Sequence, residues 1–357
     1  MSKKPLILGI ESSCDETAAS IISENDHGNP IVLSNVVSSQ VDIHKKFGGV
    51  VPELAARSHI EKIDWIVQKA IDDSGVNIND IDAIASTAGP GLIVCLSVGL
   101  SFGKALAATL NKPFIAINHL EGHALSPKLN SKLNYPYLLL LISGGHSQYL
   151  SVKDLGVYKR LGTTIDDAIG EAFDKTAKLL GIEFPGGPQI EVLAKKGDPN
   201  KYDLPKPIFN KGGCNLSFAG LKTAILKISK KIKTDQEKFN LAASFQKTII
   251  EILSKKTKIA FMEFERQIKP KEKKFVVAGG VAANKEIRNM LINICEEKNY
   301  EPIFPPIGLC GDNAAMIAMV GLEKFKLKKF DGLDYPAKPR WPLDKDAAFL
   351  KGAGVKL

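Results

Sequence analysis

Two stretches decide the fold: Leu6-Ile7-Leu8-Gly9-Ile10-Glu11-Ser12-Ser13-Cys14-Asp15-Glu16-Thr17, and Tyr137-Leu138-Leu139-Leu140-Leu141-Ile142-Ser143-Gly144-Gly145-His146-Ser147. Each is an apolar run of strand length that stops in a tight turn of small and polar residues. The same order of elements follows each. After the first come strand-like runs at 18–23 and 31–38 and a helix over 52–74, with Ala56, Ile60, Ile63, Val67 and Ala70 on one face. A strand at 81–87, a helix at 95–110 and a strand at 114–117 complete that half. After the second come strands at 147–152 and 158–161 and a long helix from Asp235, with Leu241, Phe245, Ile249 and Ile252 on one face. A strand at 275–278 and a helix at 284–297 close it. A stretch at about 163–234, with helices at 166–180 and 219–231, interrupts this second half as an insertion. A β-β-β-α-β-α order occurring twice predicts an α/β protein of two similar lobes, with mixed sheets flanked by helices around a central cleft. The lobes are expected at 1–120 joined by 310–345, and at 121–309. A last helix at 313–326 has no counterpart and is expected to return to the first lobe.

Small residues between antiparallel strands leave backbone N–H groups exposed, and such a concave turn can hold a phosphate. Either turn alone reads equally as a plain hairpin. Two at matching positions point to a nucleotide clamp. Ala278-Gly279-Gly280-Val281-Ala282-Ala283-Asn284 joins a strand to a helix N-terminus, where glycines allow close approach to a base or ribose. Phe184-Pro185-Gly186-Gly187-Pro188 reads as a rigid turn able to cover a sugar, and also as an ordinary loop. No Walker A pattern is present, which excludes the P-loop class.

At 357 residues, 44% apolar and 24% charged, the composition is that of an ordinary globular protein. The start, Met1-Ser2-Lys3-Lys4-Pro5, lacks a signal-peptide pattern, and no apolar stretch is expected to reach the roughly 18 residues of a membrane span. The expected location is cytoplasmic, with no membrane partner. Five scattered cysteines without a Cys-x-x-Cys pair argue against a disulfide framework or a zinc knuckle. The net charge of +9 favours an anionic partner such as nucleic acid. Only Arg57, Arg160, Arg266, Arg288 and Arg340 are arginines, so the basicity is that of lysine, clustered at 227–238, 255–258, 269–274 and 324–329. Such clusters serve sequence-blind phosphate contact or simply solvate helix faces.

Asn118-His119-Leu120-Glu121-Gly122-His123 sets two imidazoles at i and i+4, a spacing that suits a metal on one helical face and that two unrelated histidines can also share. Glu121 is two residues from His119, about 200° around a helix, so the zincin arrangement fails. Two histidines with a carboxylate would form a facial set suited to iron, with zinc as a second choice. Asp312, in Leu309-Cys310-Gly311-Asp312-Asn313-Ala314, offers that carboxylate. Its position also fits a helix N-cap.

The chain resembles the tRNA N6-adenosine threonylcarbamoyltransferases over nearly its whole length. The resemblance rests on residues 9–17, Gly48-Gly49-Val50-Val51-Pro52-Glu53, Gly89-Pro90-Gly91-Leu92, His119-Leu120-Glu121-Gly122-His123 and Ser143-Gly144-Gly145-His146. Further matches are Gly170-Glu171-Ala172-Phe173-Asp174-Lys175, Phe184-Pro185-Gly186-Gly187-Pro188, Gly220-Leu221-Lys222-Thr223, Gly279-Gly280-Val281-Ala282-Ala283-Asn284 and Pro339-Arg340-Trp341-Pro342-Leu343. It departs at Gly311, where the family carries Thr, and at Ala219, where it carries Ser. The resemblance implies the actin/Hsp70/sugar-kinase (ASKHA) fold and transfer of a threonylcarbamoyl group from threonylcarbamoyl-AMP. The acceptor is N6 of the adenosine 3′ to the anticodon in tRNAs reading A-starting codons. It implies one iron or zinc ion held by His119, His123 and Asp312, which act catalytically through it. Leu141, Ile142, Ser143, Gly144, Gly145, Asp174, Gly187, Glu191 and Asn284 are implied as contacts to ATP or threonylcarbamoyl-AMP. The implied partners are tRNA, an inactive paralogous subunit, an accessory ATPase and an adenylate-forming enzyme that supplies the donor. Two rivals remain: a small-molecule kinase of this fold, which has no use for the histidine pair, and a non-catalytic nucleotide-binding subunit of a tRNA-modifying complex, which would not need the whole ligand set.

Overall fold

The computed structural model describes residues 4–348, so the opening Met1-Ser2-Lys3 lies outside the described residues. The chain forms two compact units. One takes the chain up to Leu133 together with Pro305–Leu343, and the other takes Asn134–Phe304 and the chain from Asp344.

The first unit opens with β1 (Ile7–Glu11), β2 (Glu16–Glu24) and β3 (Pro30–Ser39), then short α1 (Val41–Lys45) and long α2 (Pro52–Ser74). It continues with β4 (Ala83–Gly89), α3 (Ile93–Leu110), β5 (Phe114–Asn118) and α4 (His119–Leu125). Its sheet has the order β3, β2, β1, β4, β5, antiparallel across the first three strands and parallel from β1 onward. Local chemistry sets the helix limits. Pro52 occupies the first turn of α2, where a missing N–H costs nothing, and Gly75 ends it in the left-handed region at φ 67°. On β1, Leu8 and Ile10 join a core with Ile63, Ile66, Val67, Ala70 and Leu100 from α2 and α3. Strand alternation sends Ile7, Gly9 and Glu11 to the other face.

The second unit repeats the plan with β6 (Tyr137–Ile142), β7 (Ser147–Asp154) and β8 (Val157–Thr163), then α5 (Ile169–Leu179), α6 (Gly186–Ala194) and α7 (Ala219–Ser229). It closes with α8 (Asp235–Ile268), β9 (Lys274–Ala278), α9 (Lys285–Lys298) and β10 (Glu301–Ile303). The sheet order is β10, β9, β6, β7, β8, the first unit's order read from its other edge. β6 is fully buried, in keeping with its unbroken apolar run between two neighbours. A Thr234–Glu237 capping box starts α8.

The chain then re-enters the first unit as α10 (Ala314–Lys326), which packs on β1, β2, β4 and α4. It lies on the face that holds Gly9. A β-carbon there would come within 2.5 Å of the Ala314 carbonyl oxygen and 2.6 Å of the Ala318 amide nitrogen.

Three expectations are corrected, and one strand is added. Ile60 is 64% exposed, because α2 buries Ala55, His59, Ile63, Ile66 and Ala70 against the sheet and α3. Residues 184–188 do not form a simple turn: Gly186 begins α6, its amide anchored on Asp174 Oδ1 at 2.8 Å. β10, three residues long with a proline at its centre, carries no readable period, yet it is the partner of β9 that matches β5 beside β4. Finally, α3 spans 18 residues at a mean hydropathy of 1.8, long and apolar enough to cross a membrane by length and composition. Its Cys95, Leu96, Gly99, Leu100 and Gly103 are buried and it packs on β4 and α2, with a third of the helix buried and Ile93 and Val94 exposed.

Candidate metal centre and glycine turn

Asn118 ends β5 and caps α4, its Oδ1 accepting from the Leu120 amide at 2.9 Å and the Glu121 amide at 3.4 Å. That turn carries His119 and His123 into the interior, with ring centroids 4.8 Å apart and planes at 87°. Glu121, on the other side of α4, is buried against Lys324 Nζ at 3.4 Å. At the start of α10 the cap is Asn313, whose Oδ1 accepts from the Met316 amide at 3.1 Å. The N-cap role that Asp312 could have filled therefore belongs to its neighbour. Asp312 Oδ1 stands 3.0 Å from His123 Nε2 and 3.5 Å from His119 Nε2. One ligand atom from each of the three residues lies within 4.8 Å of the others.

Around this trio the sequence hides a second layer. Glu11, fully buried at the end of β1, accepts at Oε1 from the Ser13 amide at 2.5 Å. Its Oε2 accepts from the Thr87 hydroxyl at 2.6 Å and lies 3.0 Å from His119 Nδ1. Ser13 Oγ is 3.2 Å from the same ring nitrogen. By contrast, His123 Nδ1 is buried with no hydrogen-bond partner among the described residues. The only sign of Glu11's involvement in the sequence is a carboxylate closing an otherwise apolar central strand, where a charge needs a partner.

The electrostatics favour a cation. Burial alone disfavours the charged form of His119, but the Asp312 and Glu11 carboxylates outweigh it and raise its pKa to about 9. Burial, with the charges of Asp312 and Asp15, pushes the Glu16 carboxyl well above its ordinary value. Two imidazoles and a carboxylate in a pool of excess negative charge are the donor set of a divalent metal.

In the second unit, β6 and β7 are joined by Ser143-Gly144-Gly145-His146, closed by a 2.8 Å bond from the Ser143 amide to the His146 carbonyl. Gly144 and Gly145 are exposed, and nothing lies within 4 Å of where their β-carbons would be. Leu141 and Ile142 are fully buried strand residues, so their side chains face the core. Gly170, at the start of α5, supports the turn: its amide donates to the Ser143 carbonyl at 3.2 Å, and a β-carbon there would sit 2.8 Å from Gly144 Cα. Asp174 holds the start of α6, where Gly187 lies open. Glu191 Oε1 accepts from the Lys285 amide at 3.2 Å. Asn284 caps α9 through the Ile287 amide and donates to Gln246 Oε1 at 3.1 Å. The structure thus ties Asp174 to α6, and Glu191 to the α9 N-terminus beside Asn284. Two clustered lysines are internal: Lys256 Nζ donates to the Lys211 and Gly213 carbonyls, and Lys324 Nζ to that of Ala116.

Two five-stranded mixed sheets of one topology, each with its glycine or small-residue turn, define an actin-like ATPase (ASKHA) fold, here carrying a histidine–histidine–carboxylate set in its first unit. The chain belongs to the tRNA N6-adenosine threonylcarbamoyltransferase family, whose profile matches residues 31–319. It is 80% identical over 357 residues, the whole of both chains, to the tRNA N6-adenosine threonylcarbamoyltransferase of Pelagibacter ubique. It is 50% identical to that of Caulobacter vibrioides, covering 98% of this chain and 95% of that one. Among solved structures it is similar to HypF of T. kodakarensis (TM-score 0.60, 14% identity, 91% of this chain and 48% of that one). It is also similar to component A of the (R)-2-hydroxyglutaryl-CoA dehydratase of Acidaminococcus fermentans (TM-score 0.52, 14% identity, 90% and 98%). At that identity the two structures speak for the fold alone. The chain is a transferase of tRNA modification, and tRNA is its substrate.

Proposed function

We propose that the chain transfers the threonylcarbamoyl group from threonylcarbamoyl-AMP to N6 of the adenosine 3′ to the anticodon in tRNAs reading A-starting codons, and that His119, His123 and Asp312 hold one divalent metal, iron ahead of zinc. The observation that carries the metal reading is the meeting of α4 and the start of α10: a carboxylate 189 positions from His123 in sequence stands 3.0 Å from its Nε2. A facial pair of histidines with one carboxylate is the set that suits iron. When bound, the metal supplies Lewis acidity toward a donor oxygen.

The donor is a mixed carbamoyl–phosphate anhydride and already activated, so no covalent nucleophile is required of the protein. The adenine N6 attacks the carbamoyl carbon, the bond from that carbon to the phosphate oxygen breaks, AMP leaves, and N6 gives up a proton. The Gly144 and Gly145 amides would hold the departing phosphate, with Ser143, Asp174, Gly187, Glu191 and Asn284 placing the nucleotide. Leu141 and Ile142 would contribute backbone only, since their side chains are buried. The partners in this reading are the inactive paralogous subunit, the accessory ATPase and the adenylate-forming enzyme, all in the cytoplasm. The test substitutes His119→Ala and His123→Ala. Both variants should keep the parent circular-dichroism spectrum and lose most bound metal, by elemental analysis, along with transfer to tRNA. A variant that kept its metal and full activity would return the pair to a structural role.

A further inference from the structure

We propose that Glu11 is a positioning residue for the metal: its buried carboxylate holds the Nδ1 side of the His119 ring, so that Nε2 is the nitrogen turned to the metal position beside Asp312. The inference rests on the metal reading above and adds a residue outside the ligand set. β1 alternation puts Glu11 on the α10 side of the sheet, with Ile7 and Gly9, and the β1–β4 rung at Ile10 and Ser86 brings Thr87 alongside. An ionised carboxylate only accepts. Glu11 takes the Ser13 amide on one oxygen and the Thr87 hydroxyl on the other, so neither oxygen is free to turn away. What faces Oε2 at 3.0 Å must then be an Nδ1–H. With Nδ1 committed, the nitrogen left for a metal is Nε2, the atom 3.5 Å from Asp312. A partner behind a ligating histidine commonly sets its tautomer and ring orientation, and losing it weakens metal binding about 10–100-fold. His123 has no such partner on Nδ1 among the described residues, so the orientation of the pair depends on the Glu11 side. A buried charge on a central strand is costly unless fully bonded, and here Ser13 and Thr87 hold the carboxylate against His119.

The test uses the full-length chain with Co²⁺ as an optical probe and Zn²⁺ in competition with a chelator. Glu11→Gln keeps the size but replaces one accepting oxygen with an NH₂ donor. It should lower Zn²⁺ affinity about 10–100-fold and alter the Co²⁺ ligand-field spectrum. Thr87→Val leaves the carboxylate and removes one of its restraints, and should weaken binding several-fold. It carries the test if Glu11→Gln does not fold. A purely structural role would lower the melting temperature while leaving the folded protein's affinity and spectrum unchanged, and that result overturns the inference. Parent protein whose Co²⁺ spectrum is unaffected by His123→Ala would instead overturn the metal reading, and this inference with it.

Discussion

Gly9→Ala adds one methyl group on the face of β1 that carries Glu11, and the structure says where it goes. The new carbon would stand 2.5 Å from the Ala314 carbonyl oxygen, 2.6 Å from the Ala318 nitrogen and 2.8 Å from its β-carbon, against 3.4–4 Å for ordinary contact. Two of these three neighbours are helix backbone, which cannot rotate aside. α10 must therefore retreat by most of an ångström. Overpacking of this kind costs about 3 kcal/mol, or roughly 6–12 °C in melting temperature for a unit of this size. The shift also moves Asp312, two residues ahead of the helix, relative to α4. Metal–ligand distances tolerate about 0.2 Å, so metal affinity should fall at least about tenfold even in the fraction that stays folded. The assay pairs a thermal melt with chelator competition for Zn²⁺. Gly311→Ala is the control: it adjoins Asp312, yet its β-carbon meets nothing within 4 Å, and it should change stability by less than about 0.5 kcal/mol. If Gly9→Ala melted within about 2 °C of the parent and kept its metal affinity, the coupling of β1 to the ligand set through α10 would be refuted.

Gly145→Val should leave the melting temperature unchanged, since the position is open, and should weaken nucleotide binding at least about tenfold by crowding the turn. Equal affinity by calorimetry would reduce the turn to a hairpin. His59 makes a pH prediction. Fully buried, it has Nε2 3.0 Å from the Cys14 carbonyl and Nδ1 2.7 Å from Thr17 Oγ1, and burial holds its pKa below the usual 6.5. The folded-state value lies below the unfolded one, so its contribution is complete above about pH 6.5 and is lost as pH falls through the lower folded value. Melting temperatures from pH 7.5 down to pH 5 should fall more steeply for the parent than for His59→Gln, and identical slopes would contradict this.

What the sequence made legible is what local chemistry determines. The helices at 52–74 and from Asp235 and the apolar run of β6 to Ile142 stand where periodicity places them, bounded by Pro52, Gly75 and a Thr234–Glu237 capping box. The i, i+4 histidine pair was visible for the same reason. Reading failed where a local signal had two meanings settled at a distance. Gly186-Gly187-Pro188 looks like a turn until Asp174 anchors the first amide of a helix. Asp312 and Asn313 are both able to cap, and the backbone chose Asn313. Ile60 falls on the apolar period of α2 but outside the arc that its two packing partners cover. The web joining Glu11, Thr87 and His119 spans 76 and 108 positions, and no window of sequence contains it.

The placement of α10 also sets a clock for synthesis. His123 leaves the ribosome 189 residues before Asp312, which at about 5–20 residues per second is a delay of about 10–40 s. During that interval the second unit can emerge and fold, while the α10 side of β1 and β4 stays wet and the ligand set lacks its carboxylate. In the proposed metal reading, loading would therefore be one of the last events in the life of the nascent chain. A nonsense codon just upstream of Asp312 would yield a product with most of its mass, an intact second sheet, and only two of the three proposed ligands.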